Sequence, residues 1–178
     1  MTDRTEPVAL GFYTVVECER TGWTGGLLIL NEMGRPLEFR CTLPVRPSKS
    51  HEILFGPTMR AHLIGDVIAN VLLKSSRTPI SMMCCQQAEA LAMESLVDYP
   101  VCLVRSAAED DEGPITRDML SGSTAIDLAG STLMVGMEKQ SEAENICRSL
   151  VNLPDAVEPF DRIRDAISEA HSQLARAA

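Results

Sequence analysis

The chain has 178 residues, 45% of them hydrophobic, 23% charged and only 4% aromatic, with a formal net charge of −9. That length is enough to bury a core without disulfide support. The scarcity of rings argues against a base- or sugar-stacking platform, and the net charge repels phosphate backbones and anionic membrane surfaces, so neither general nucleic-acid binding nor a membrane is expected.

No apolar stretch follows a basic flank in Met1 to Pro7, and the longest apolar helix pattern, Leu63 to Leu73, is interrupted by Asp66 and Asn70. The expectation is a cytoplasmic protein, one domain over 1–178, with its six cysteines as reduced thiols. Residues 8–18 are β-branched and apolar on both alternate faces, as a central strand should be. Gly22-Trp23-Thr24-Gly25-Gly26 reads as a loop, Leu27 to Leu30 as a second buried strand, and Asn31-Glu32-Met33-Gly34 as a hairpin turn. In the third strand Leu37, Phe39, Cys41, Leu43 and Val45 alternate with Glu38, Arg40, Thr42 and Pro44, predicting one wet face at a sheet edge.

A Pro- and Ser-rich loop leads to a helix over 58–74, started by Pro57 and Thr58, whose stripe is Leu63, Ile64, Val67, Ile68, Val71 and Leu72. Ile80 to Cys85 reads as a short buried strand, Gln86 to Leu96 as a helix, and Val101 to Val104 as another buried strand. Glu109 to Pro114 is an acidic loop, and residues 115–130 read as a short helix or irregular chain. Ser131 to Val135 adds a strand. Ser141 and Glu144 have capping-box spacing before a helix that ends by Pro154. The last helix starts near Pro159 and carries Phe160, Ile163, Ile167, Ala170 and Leu174, a stripe that could dock internally or pair with a second copy in a homodimer.

The expected fold is α/β: a mixed sheet in which an antiparallel three-stranded meander is followed by α-β-α-β units (core 8–105), with additional C-terminal helices over 138–177. This order, over about residues 8–105, resembles the ribonuclease-H-like fold shared in outline by nucleases and the halves of actin-like ATPases. If the strand near 80–85 lies beside the first, their junction is the switch point where open α/β sheets bind ligands. It would gather Glu17, Cys18 and Glu19 with Cys84, Cys85 and Gln86.

The resemblance implies carboxylates within strand one, on the first helix and at the end of strand four, because two-metal chemistry needs several of them to converge. Here strand one offers acids only at its exit, the helix offers Asp66, and strand four ends Cys84-Cys85-Gln86, so no metal and no cofactor is expected. The cysteines read as packing residues, since no C-x-x-C or C…H spacing is present and adjacent strand residues face opposite ways; a thiol or zinc site at Cys18, Cys84 and Cys85 is the alternative. Trp23 is read as a lid over a sheet edge or an exposed contact.

The sharpest candidate is the basic stretch at 46–60, where Arg46, Lys49 and Arg60, with His51 nearby, would sit at a helix N-terminus that favours anions. None of the nucleotide, metalloprotease or hydrolase motifs is present. Two functions follow. The leading one is a non-catalytic binding or interaction module taking a small anionic ligand or an acidic protein segment at this stretch. The alternative is an enzyme of phosphoryl or nucleotide chemistry on a ribonuclease-H-like scaffold.

Overall fold

The computed structural model describes residues 7–105 and 121–178. Seven strands form one mixed sheet: β1 (Ala9–Cys18), β2 (Gly22–Asn31), β3 (Pro36–Cys41), β4 (Met82–Cys85), β5 (Val101–Arg105), β6 (Ser123–Leu128) and β7 (Ser131–Gly136). Their order is β3-β2-β1-β4-β5-β7-β6. The meander β1–β2–β3 is antiparallel, and β4 runs parallel to β1 and β5 parallel to β4, as the tight and helical connections dictate. The α/β class, the strand order and the edge position of β3 agree with the sequence.

Helices cover both faces. Leu10, Phe12, Leu28, Leu30, Met82, Cys84 and Leu133 meet α3 (Gln140–Ser149) and α4 (Glu158–Ala177) on one side. On the other, Tyr13, Val15, Leu27, Ile29, Met83 and Cys85 meet α2 (residues 59–75) and a 3-10 helix, Ala88–Leu96. The stripe of α4 is used here: Phe160, Ile163 and Ile167 are buried against the sheet, and Phe12 meets Phe160 edge-to-face at 5.5 Å. Of the two outcomes open to this stripe, Phe160, Ile163 and Ile167 take the internal one, while Leu174 stays exposed. Among the described residues no helix is long and apolar enough to cross a membrane.

Several expectations need correction. The stretch Gly22 to Gly26 is strand and not loop, because two helices press onto β2 there. A Cβ on Gly25 would lie 2.1 Å from Ile68 Cγ2 on one face, and one on Gly26 would lie 2.3 Å from Ile163 Cγ2 on the other. Glycine at both positions reflects close approach and not turn chemistry. Residues 123–128, read as helix or irregular, form β6, which pairs with β7 as a hairpin. The acidic loop 109–114 lies outside the described residues. Ser141 makes no capping box: a 3-10 turn, Met137–Lys139, precedes α3, so Ser141 already stands inside the helix and Glu144 takes a bond from Gln140. Gln86 to Leu96 closes as 3-10 and not α.

The helix expected over 58–74 differs at both ends. A separate helix, α1 (Lys49–Phe55), forms first, capped by the Ser48 hydroxyl accepting from the His51 N–H. Gly56–Thr58 then leads directly into α2, so residue 58 is not a free helix start. Within α2, His62–Ile68 is a π-turn. The surplus residue rotates the stripe, so the buried set is Leu63, Ile64, Ile68, Ala69 and Leu72, while Val71 is 53% exposed.

β3 inverts its expected faces. Leu37 and Phe39 are exposed, and Glu38 points inward, where its carboxylate accepts from the backbone N–H groups of Arg77 and Thr78 and pairs with Arg40 at 2.7 Å. The Arg40 bond first, and then those from Thr78 and Arg77, hold the Glu38 carboxyl down at about 2 against an ordinary 4.5. A depressed carboxyl stabilises the fold above its unfolded value and loses that contribution as pH falls toward its folded value. Glu38→Ala is therefore expected to cost about 1–2 kcal/mol at neutral pH, after allowance for solvent screening. The difference from the parent in urea unfolding should shrink between pH 4.5 and about 2. A gap that stays constant across that range would refute the assignment.

Candidate active site at the strand-exit edge

The carboxyl ends of β1, β3, β4 and β5 share one edge of the sheet, and the first turn of α2 reaches the same edge. Arg60 organises it. Its Nη1 donates to Glu17 Oε2 at 3.0 Å, its Nε donates to Glu89 Oε1 at 2.9 Å, and its guanidinium carbon lies 5.1 Å from the Trp23 ring centroid. Bonding to Glu89 and the charges of Glu89 and Glu17 hold Arg60 above its already high ordinary value. Burial alone would raise the Glu89 carboxyl, but Arg60 outweighs it and keeps Glu89 below the ordinary carboxylate value. The result is a fixed cation with two carboxylates and an indole face within reach.

Beside this group a crevice of about 220 Å³ is lined by Glu17, Cys18, Glu19, Trp23, Arg46 and Glu52, among others. Arg46 reaches across to the Thr21 carbonyl at 3.3 Å. Trp23 is half-buried, its backbone paired with Val45 in both directions at 2.8 Å, so it packs as a lid and shows one face to Arg60. The edge thus brings together Glu17, Cys18, Glu19, Arg46 and Arg60 from the residues singled out in sequence. Lys49 and His51 stand apart on α1: Lys49 pairs with Glu52 at 3.2 Å, and the His51 ring meets Phe55 edge-on at 6.2 Å.

The β4 half of the expected switch point is built differently. Cys84 and Cys85 are fully buried, belong to opposite faces of the sheet, and have thiols pushed up first by burial and then by each other or Cys102. Gln86 accepts a bond from Arg164 of α4. The β1–β4 register ends at Tyr13 and Cys85, so Glu17 lies four residues farther on, roughly 13 Å along the strand. Cys18, Cys84 and Cys85 therefore do not converge.

At the junction itself stand two residues that sequence reasoning missed, Thr14 and Gln87. The Gln87 side chain accepts from the Val15 N–H at 2.8 Å and donates to the Val15 carbonyl at 3.0 Å, and the Thr14 hydroxyl lies 3.5 Å from its oxygen. Just past the last β4 pair, this amide replaces the missing strand neighbour of Val15. The only signal in sequence was an amide side chain at a strand exit. A pair of magnesium ions needs converging carboxylates. Neutral groups already bonded to backbone occupy this junction, and among the described residues no three of His, Cys, Asp and Glu are placed to hold a metal ion. The residues present do not fit that metal pair.

No family model matches the sequence, and no curated protein sequence matches it. Among solved structures, the chain is similar to a cysteine-substituted catalytic domain of human Endonuclease V, with 10% identity over 94% of this chain and 85% of that one, at a TM-score of 0.50. It is also similar to Ciona intestinalis Endonuclease V, solved in complex with DNA containing an inosine followed by a ribo-adenosine, with 11% identity over 98% of this chain and 88% of that one, at a TM-score of 0.49. The human domain shares the fold.

Two expectations are corrected. The human domain whose fold the chain shares is the catalytic domain of a nuclease, so the expectation of a non-catalytic module finds no support in that likeness. The exclusion of nucleic acid is withdrawn as well, because a net charge is a sum over the whole chain and does not describe one edge.

Proposed function

We propose that the protein is an enzyme of phosphoryl or nucleotide chemistry on a ribonuclease-H-like scaffold, acting on a nucleotide or nucleic-acid strand at the strand-exit edge. The observation that carries this reading is Arg60, held between Glu17 and Glu89 beside Trp23 at the mouth of a crevice that Arg46 also lines. A guanidinium takes phosphate with the same paired N–H geometry it offers a carboxylate. On phosphate binding Arg60 exchanges Glu17 for a phosphate oxygen, which leaves a carboxylate beside the bound group as general base. The free face of Trp23 suits a base. No step is routed through metal ions, which the junction residues do not fit. A cytoplasmic location, with all six thiols reduced, belongs to the same reading.

The test is a panel of nucleoside triphosphates and short single- and double-stranded oligonucleotides, assayed for binding and cleavage at low salt. Arg60→Ala is expected to lower binding by about tenfold or more and to flatten its salt dependence. Glu17→Gln should leave binding intact and reduce turnover. No binding and no cleavage of any member by the parent protein would overturn the proposal, as would equal binding and turnover in parent and Arg60→Ala.

A further inference from the structure

The π-turn of α2 has a partner on the sheet beneath it. A helix that passes from four- to five-residue spacing leaves a carbonyl at the changeover without a backbone donor. The Tyr13 hydroxyl donates to the carbonyl of Ile64, the third residue of that turn. Tyr13 is 1% exposed and is the last residue of β1 that pairs with β4. Burial first, and then Cys85, push its phenol far above the ordinary range, so it remains a donor throughout neutral conditions.

The two ends of α2 are held unequally. Downstream, Ile68 and Leu72 press onto Gly25, so that end cannot shift without lifting off β2. Upstream, Met59–Ala61 has no buried residue, and Arg60 is held only by its contacts with Glu17, Glu89 and the Trp23 ring. The surplus residue between the two ends decides from which side of the helix Arg60 departs. Without a donor for the Ile64 carbonyl, ordinary four-residue spacing is the arrangement that orphans no backbone group. Reverting to it displaces the loosely held upstream end.

We propose that Tyr13 is a positioning residue for the strand-exit site: its hydroxyl holds the π-turn, and the π-turn aims Arg60 at Glu17 and Glu89. A tyrosine that served packing alone would need its ring and not its hydroxyl. Here the hydroxyl reaches a carbonyl 51 positions away, inside the irregular turn. The proposal adds to the site a residue that touches no ligand. It rests on the phosphoryl reading only in its binding test.

Trp23 is the chain's sole tryptophan, and Arg60 stands over its ring, so its emission reports where Arg60 is. Emission is excited at the red edge, where tyrosine does not absorb, in folded protein well below its melting temperature. Tyr13→Phe keeps the ring and is expected to reproduce most of the emission change produced by Arg60→Ala. In the Arg60→Ala background it should add little more. Val135→Ala, a core change on the opposite face of the sheet, should lower the melting temperature and leave the emission as in the parent. A nucleoside triphosphate that the parent binds should bind Tyr13→Phe about tenfold more weakly, as it does Arg60→Ala. If Tyr13→Phe alone does not fold, combining it with deletion of Asp66, which removes the surplus residue, should restore folding with the Arg60→Ala emission. Folded Tyr13→Phe with the parent's emission would overturn the proposal, as would a change equally large in the Arg60→Ala background. So would an Asp66-deleted Tyr13→Phe protein that stays unfolded or keeps the parent's emission. A parent that binds no nucleotide fails the phosphoryl reading alone, since emission still decides the role of Tyr13.

Discussion

Alanine in place of Gly25 or Gly26 is expected to destabilise the protein by about 2–3 kcal/mol, and valine at either position by more. Each glycine receives a β-branched helix residue on one face of β2. The added Cβ would stand 2.1 Å from Ile68 Cγ2 and 3.1 Å from Leu72 Cδ1 at position 25, or 2.3 Å from Ile163 Cγ2 and 3.1 Å from Ile167 Cδ1 at position 26. Isoleucine on a helix has little freedom at χ1, so it cannot swing aside; the helix itself must lift. Urea unfolding measures the loss. Trimming the facing isoleucine to alanine in the same chain should recover part of it, so that the paired changes are less than additive. A Gly26→Ala protein within about 0.5 kcal/mol of the parent would show that α4 does not sit on β2 as described.

The second large effect is expected at Gln87. Gln87→Ala removes both bonds to Val15, whose residue is only 5% exposed, and leaves a covered N–H and C=O without partners. A loss of about 2–3 kcal/mol is expected, with faster hydrogen exchange at the Val15 amide. Gln87→Glu keeps the shape but exchanges the donor for a second acceptor against the Val15 carbonyl, so it should be at least as damaging. Manganese separates this clasp from a metal centre. Millimolar Mn²⁺ should leave the parent's melting temperature unchanged, and it should raise that of Thr14→Asp/Gln87→Glu, where two carboxylates would face one another. A parent protein that gains stability with Mn²⁺ and loses the gain on Gln87→Ala would refute the clasp.

Local patterning made the sheet legible. Strand β1 and the strands at 82–85 and 101–105 are largely continuous apolar runs, and tight turns in the meander and helical crossovers after it fixed the strand directions. Patterning failed where a distant element decided the outcome. Gly22 to Gly26 has loop composition, and only helices more than forty residues away explain why two glycines belong in a strand. Leu37 and Phe39 alternate like core residues, yet the backbone N–H groups at 77 and 78 claim Glu38 and turn the strand over. The site was half legible for the same reason. Glu17 and Arg46 were reachable as strand-exit and loop residues, but the Arg60 pairing with Glu89 spans 29 positions and the Gln87 clasp on Val15 spans 72. No spacing rule connects such partners.

The π-turn in α2 separates two duties of one helix. From the end of the π-turn onward, Ile68, Ala69 and Leu72 seal the sheet; upstream of it, Arg60 reaches the strand exits. One residue more or fewer in a helix turns everything on one side of it by about 100° relative to the other. The surplus residue therefore works as a rotary joint in sequence space. A lineage that lost it, or gained another, would swing Arg60 away from Glu17 and Glu89 and present a different side chain to the crevice, while every contact of the helix's second half with the sheet stayed in place. Length variation at this one turn is a route by which the same scaffold changes what it recognises without refolding its core.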